Sequence, residues 1–219
     1  MHPLNDIKTI FFDYDGTLHN SIHIYGPAFQ KSYDYLVDQG YAQKRNWFQE
    51  EISYWLGFNP PDMWKTFMPD LSEELRKSCS DIIAEEMKLQ IEQGKPKLYE
   101  GALDTLQYLK EKGYQLVFIS NCKMYYRDYH NKLFALDRYF DALICSEEYQ
   151  FIPKHEIIKL IKHQYPEKMA IIGDRFQDME AGIKNNMTTI GGRYGFALPD
   201  ELKEADIMID DIRDLMKLL

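Results

Sequence analysis

The chain has 219 residues, 45% hydrophobic and 28% charged, and a formal net charge of −9. That length suits one domain with a substantial insertion and buries roughly 70% of the unfolded surface, while the acidic balance argues against a general nucleic-acid binder, which would carry a basic face. No apolar run approaches the roughly 18 residues of a membrane span, and Cys79, Cys122 and Cys145 lack metal-ligand spacing, as expected of reduced thiols. The stretch Met1 to Asp6 has neither the basic nor the apolar segment of a signal peptide. A cytoplasmic setting is expected.

The first predicted strand, Lys8 to Phe12, is β-branched and aromatic and breaks into Asp13-Tyr14-Asp15-Gly16-Thr17-Leu18. Asp13 and Asp15 share a face only while the chain stays extended. Gly16 permits a sharp departure that would swing Asp15 away. The next strand is Gln115 to Ile119, roughly 100 residues on, whereas a βαβ unit needs about 30. The surplus is predicted to fold separately. Ile24, Tyr25, Ala28, Phe29, Ser32 and Leu36 follow helical spacing, with Asn20 or Ser21 as a start and Gly40 as a stop. Leu75, Cys79, Ile82, Ile83, Met87 and Ile91 repeat it after Ser72. Between them an aromatic-rich stretch is broken at Asn59-Pro60-Pro61, and its aromatics read as helix-packing core.

From Tyr99 the rhythm changes. A helix on Ala102, Leu103, Leu106 and Leu109 ends at Gly113 and feeds the second strand. Further strands are expected at Ala142 to Cys145, Met169 to Ile172, Thr188 to Ile190 and Asp206 to Ile209, with helical patterns such as Ile157 to Ile161 and Met179 to Ile183 between. This alternation predicts an α/β fold, a Rossmann-like parallel sheet with an all-helical insertion. The expected division is 1–19 with 96–219 as the core and 20–95 as the insertion.

Open α/β sheets bind ligands beyond the carboxyl ends of their strands. Those ends carry Asp13 and Asp15, then Ser120 and Asn121, then Asp174 and Asp178, with Lys154 in the loop before the fourth strand. Carboxylates suit a hard ion such as Mg²⁺, and a lysine, a hydroxyl and backbone N–H groups suit a phosphoryl group. Singly, each has a plainer reading: Ser120 and Asn121 as turn residues, Asp178 as a helix-terminus acid, Lys154 as a solvated side chain, Cys122 as packing. Their joint occurrence favours a site. The Gly191-Gly192-Arg193-Tyr194-Gly195 stretch follows the fifth strand and is a poor dinucleotide fingerprint.

With these motifs the chain resembles the haloacid dehalogenase superfamily, and within it the phosphoglycolate-phosphatase-like hydrolases. The resemblance spans nearly the whole chain, the insertion standing as a helical cap. It implies Mg²⁺-dependent hydrolysis of a small phosphorylated metabolite. By that resemblance Asp13 is the nucleophile, forming an aspartyl-phosphate, and Asp15 protonates the leaving oxygen and then activates water. Asp13, the Asp15 carbonyl and Asp174 hold Mg²⁺, with Asp178 as a further ligand or a support for them. Ser120, Asn121 and Lys154 bind the phosphoryl oxygens. One position departs from the pattern: His155 follows the lysine where the family often has proline, which bears on the loop's conformation. Asp15 favours phosphoryl chemistry over dehalogenation. The alternatives are a phosphosugar mutase or other phosphotransferase, and a non-enzymatic phosphate- and Mg²⁺-binding module resembling a receiver domain.

Overall fold

Thr9, Ile10, Phe11 and Phe12 are all without solvent exposure, the burial of a strand covered on both faces. The structure, a computed structural model, describes residue 4 and residues 6–165 and 168–219. Most of the Met1 to Asp6 stretch, read above for the absence of a signal peptide, lies outside the described residues. In chain order the elements are β1 (Thr9–Phe12), α1 (Ile22–Asp38), α2 (Gln49–Ser53), α3 (Pro60–Phe67), α4 (Glu73–Glu92), α5 (Ala102–Glu111), β2 (Gln115–Ser120), α6 (Met124–Phe134), β3 (Ala142–Cys145), α7 (Lys154–Ile161), β4 (Met169–Gly173), α8 (Phe176–Asn185), β5 (Thr188–Gly192), β6 (Ile207–Ile209) and α9 (Leu215–Leu218).

The strands form one parallel sheet in the order β3-β2-β1-β4-β5-β6. Successive residues of β1 face opposite sides. Phe11 packs with Ile157, Ile158 and Ile161 of α7 and Ala181 of α8, while Phe12 meets the Phe140 ring at 5.9 Å. The strand order reverses direction at β1, so the crevice of this topology lies between the carboxyl ends of β1 and β4. Phe12 is in register with Phe118 and with Ile172. The Asp13 N–H donates to the Ile172 carbonyl at 2.9 Å, which carries the pairing one residue past β1.

The chain divides into two compact units, Met1–Asn20 with Leu98–Leu219, and Ser21–Lys97. The second is helical, α1 through α4. Its aromatic rings pack on one another: Phe29 lies 5.4 Å from Trp47 and 5.3 Å from Phe67, and Trp55 lies 4.9 Å from Phe67. Asn59-Pro60-Pro61 starts α3 rather than merely interrupting the stretch. Asn59 Oδ1 accepts the Asp62 N–H at 3.0 Å, and Pro60 sits at the first helical position, where a missing N–H costs nothing. Ser72 caps α4 by accepting the Leu75 N–H at 3.2 Å. Ser21 precedes α1 without a side-chain cap. None of the described helices is long and apolar enough to cross a membrane, and the three cysteines are free.

Candidate active site

Asp13, Asp174 and Asp178 converge at the β1–β4 crevice, each offering a carboxylate oxygen within 4.8 Å of the others, and all are buried. Asp13 follows β1 directly and Asp174 follows β4, so the strand register brings them together. Asp178 arrives from the first turn of α8. Its Oδ2 accepts the Arg175 N–H at 3.1 Å, capping the helix, and its Oδ1 accepts from Lys154 Nζ at 2.5 Å. Capping and site membership coexist because each oxygen has its own partner.

Lys154 also donates to Asp13 Oδ1 at 2.7 Å. The sequence places this lysine in a loop, whereas in the structure it is the first residue of α7, with Pro153 as the preceding cap position. Helical side chains tilt toward the helix N-terminus. A lysine in the first position therefore reaches back past the helix end to the sheet edge. His155 occupies the second position, its carbonyl accepting from Asn185 Nδ2 at 2.9 Å. The helix forms here with proline before the lysine instead of after it.

Of the three buried carboxylates, Asp13 and Asp178 share one ammonium and Asp174 does not reach it. Burial first, and Asp178 next, push the Asp13 carboxyl up to about 7, with Lys154 pulling the other way. Asp174 is held well above the usual carboxylate range by burial and then by Asp13 and Asp178. Burial alone would lower the Lys154 pKa, but Asp13 and Asp178 outweigh it and hold the ammonium charged. Asp174 has no ion-pair partner among the described residues. Its Oδ2 accepts the Phe196 N–H at 2.6 Å and its Oδ1 the Thr17 hydroxyl at 3.4 Å. An all-oxygen donor set with excess buried negative charge fits a hard divalent cation.

Asp15 is not part of this cluster. Gly16 turns the chain at φ +86°, and a β-carbon there would stand 2.1 Å from Asp174 Oδ2. The Asp15 carboxylate turns instead to Tyr126 Oη at 2.7 Å and His19 Nδ1 at 3.0 Å. Of the two outcomes the sequence left open, the departure is the one observed. Ser120 ends β2, next to β1, and is buried; Asn121 follows it, half-buried.

Sequence reasoning missed two groups of residues here. Tyr126 lies on α6, a helix of mostly polar and aromatic residues that carries little apolar periodicity. The second group is the Tyr194-Gly195-Phe196 segment, set aside above as a weak glycine signal. Its Phe196 N–H holds Asp174, and Tyr194 Oη donates to the Thr17 carbonyl at 2.9 Å. Gly195, just after β5, was the visible signal, and weighing the stretch only as a dinucleotide fingerprint left its close approach to Gly16 and Asp174 out of view.

A parallel sheet flanked by helices, with a carboxylate cluster and a lysine at the β1–β4 crevice, is the setting in which the model of the haloacid dehalogenase-like hydrolase family matches residues 10–191. The chain belongs to that family and is a hydrolase of its phosphatase kind. Among similar proteins, the pyrophosphatase PpaX of Bacillus pumilus is 24% identical, the match covering 97% of this chain and 96% of the relative, and PpaX of Listeria welshimeri is 26% identical at the same coverage. Among solved structures, a predicted phosphatase from Clostridium acetobutylicum superposes with a TM-score of 0.80 at 24% identity over 97% of each chain. A predicted phosphoglycolate phosphatase from Haemophilus somnus does so with 0.78 at 22% identity, again over 97% of each. These two share the fold.

Proposed function

We propose that the protein is a Mg²⁺-dependent phosphatase that hydrolyses a small phosphorylated metabolite in two displacements at Asp13. The observation that carries this reading is the separation of the first two acids. Asp13 sits buried against Lys154 and beside Asp174, whereas Asp15 stands outside the cluster with partners of its own. A carboxylate set among charges suits a nucleophile toward a phosphoryl group, and one held apart from them by Tyr126 and His19 suits a proton carrier.

Asp13 and Asp174, with the Asp15 carbonyl, would hold Mg²⁺, and Asp178, whose oxygens are engaged by Lys154 and Arg175, supports them. Bound there, the cation would supply charge stabilisation that lets an anionic nucleophile approach an anionic ester. An Asp13 carboxylate oxygen attacks phosphorus, and the phosphorus–oxygen bond to the leaving group breaks. Asp15 gives its proton to that oxygen and becomes a carboxylate. Lys154, with Ser120 and Asn121, binds the phosphoryl oxygens and stabilises charge as it develops. Asp15 then takes a proton from water, whose oxygen attacks the aspartyl-phosphate, returning Asp13 and inorganic phosphate. The helical insertion, 20–95, acts as the cap that selects the substrate. The PpaX relatives make inorganic pyrophosphate a first compound to try.

The test is phosphate release from a panel of phosphorylated metabolites and pyrophosphate, with Mg²⁺, in excess chelator, and after Mg²⁺ is restored. Release that vanishes in chelator and returns with Mg²⁺ is expected. Full activity in chelator would remove the metal from the proposal, and no release from any compound would remove the proposal itself.

A further inference from the structure

Asp15 Oδ1 receives two side chains. Tyr126 Oη donates to it at 2.7 Å, and His19 Nδ1 stands 3.0 Å from the same oxygen and 3.0 Å from Tyr126 Oη. An ionised carboxylate has no proton to offer, and the one phenolic proton of Tyr126 is directed at Oδ1. With Asp15 in its carboxylate form, the tautomer of His19 that satisfies both contacts carries its proton on Nδ1 and donates toward Oδ1. Oδ2 takes part in no hydrogen bond with the described residues. The carboxylate is held by one edge and open at the other.

The holders are themselves wedged. Tyr126 and His130 lie four residues apart on one face of α6, their rings 4.2 Å apart. His130 Nδ1 is 2.5 Å from Tyr14 Oη, and the His19 ring stacks on Tyr14 with centroids 5.2 Å apart and planes at 19°. Tyr14, His19, Tyr126 and His130 are all buried. Nε2 of His19 and Nε2 of His130 have no hydrogen-bond partner among the described residues. Buried polar atoms without partners oppose folding. His19 is nonetheless held in place, its Nδ1 at Asp15 and its ring against Tyr14, with Nε2 left unsatisfied.

We propose that Tyr126 and His19 are positioning residues for proton transfer, pinning Oδ1 of Asp15 so that Oδ2 is the edge that carries the proton to the leaving oxygen. This rests on the reading of Asp15 as the acid and base of a phosphatase. In the first displacement the Oδ2–H bond breaks as an O–H bond forms on the leaving oxygen, which keeps the electron pair of the broken phosphorus–oxygen bond. Asp15 remains as a carboxylate whose Oδ2, still unpartnered, takes the next proton from water. Freed from the clamp, the carboxylate would rotate about its Cβ–Cγ bond and present either oxygen at random angles.

The experiment compares kcat/KM, which reports steps through the first displacement, for glycerol 3-phosphate and 4-nitrophenyl phosphate in full-length wild-type, Tyr126→Phe, His19→Leu and His19→Asn proteins. An alkoxide leaving group needs the proton and a nitrophenolate needs little. Tyr126→Phe and His19→Leu should therefore lose about tenfold more on the glycerol ester than on the aryl ester, part of the about 10²–10⁴ that general acid catalysis supplies. His19→Asn keeps an N–H donor near the Nδ1 position and should recover part of that selective loss. Equal losses on both esters, or none, would overturn the clamp. Crystal structures give a second readout: one Asp15 rotamer in the wild type, and a rotated or divided side chain in Tyr126→Phe. An unchanged rotamer there overturns the clamp whatever the kinetics. If the wild type releases phosphate from neither ester, the phosphatase reading falls for these substrates and the rotamer comparison decides the clamp alone.

Discussion

Lys154 Nζ lies 2.7 Å from Asp13 Oδ1, and both groups are buried. The same ammonium is 2.5 Å from Asp178 Oδ1, so a single cation bridges the end of β1 to the first turn of α8. Removing one member of a buried charge pair is far costlier than replacing the whole pair, because the other charge is stranded.

Lys154→Met strands two carboxylates at once. Phosphate release should fall about 10²-fold or more, the scale of losing one preorganised charge at a reacting centre. Chelator-treated protein should also melt at a lower temperature than wild type, with Mg²⁺ recovering much of the difference. Lys154→Arg should not restore activity, since a planar fork does not replace a point charge held between two acids. Thermal melts with and without Mg²⁺, beside phosphate assays, read all three outcomes.

A pH effect follows from Asp13. Its carboxyl, ordinarily at 3.8, is pushed up to about 7, by burial before all else. The folded protein then holds a proton that the unfolded chain releases, and stability falls with rising pH wherever the folded state binds more protons. That contribution is full below about pH 4 and is lost as the pH rises toward 7. Wild-type protein in chelator should therefore melt lower at pH 8 than at pH 5, at about 2–4 °C per kcal/mol for a chain of this size. Asp13→Asn should lack this component, and Mg²⁺ should suppress it in the wild type by favouring the ionised carboxylate. Melting curves of both proteins across pH 5 to 8 measure it.

The strands were legible because parallel strands buried on both faces read as continuous apolar runs, and the acids were legible because they follow those runs directly. The observed β2, β4 and β5 each extend past the expected end, into Ser120, Gly173 and Gly192, where polar or glycine residues still pair in the ladder. Helix α6 was not named, because its buried contacts come from Tyr126 and His130, residues that a search for aliphatic spacing passes over. The partners of Asp15 were also out of reach. Tyr126 is 111 residues away in the chain, and only the folded sheet edge brings it near.

Gly195 tests the segment whose role the sequence concealed. A β-carbon there would lie 2.3 Å from the Gly16 carbonyl oxygen and 2.4 Å from Asp174 Cβ. The backbone must then shift, and the Phe196 N–H that holds Asp174 Oδ2 shifts with it. Gly195→Ala should raise the Mg²⁺ concentration needed for half-maximal activity by about tenfold or more, as losing support for a ligand does. Gly26→Ala, inside α1 where the nearest atom is Ile22 Cδ1 at 4.0 Å, should leave it unmoved. Metal titrations of the three proteins compare them directly.

The different settings of Asp13 and Asp15 predict different failures when each becomes an amide. Asp13→Asn removes the attacking carboxylate from its place against Lys154, so no covalent intermediate should form with any ester. Asp15→Asn leaves that carboxylate intact and removes the group held by Tyr126 and His19. An amide cannot protonate an alkoxide, and it cannot take a proton from water. Esters with poor leaving groups should lose the most, while an activated aryl phosphate should still transfer its phosphoryl group to Asp13. With no base for the second displacement, the aspartyl-phosphate should accumulate. Rapid quench with a ³²P-labelled aryl phosphate reads this: label retained on Asp15→Asn protein and absent from Asp13→Asn. Label on the Asp13→Asn protein would assign the nucleophile elsewhere. Label on neither would mean that Asp15 is needed even for the first displacement of an activated ester, and the division of roles between the two acids would have to be redrawn.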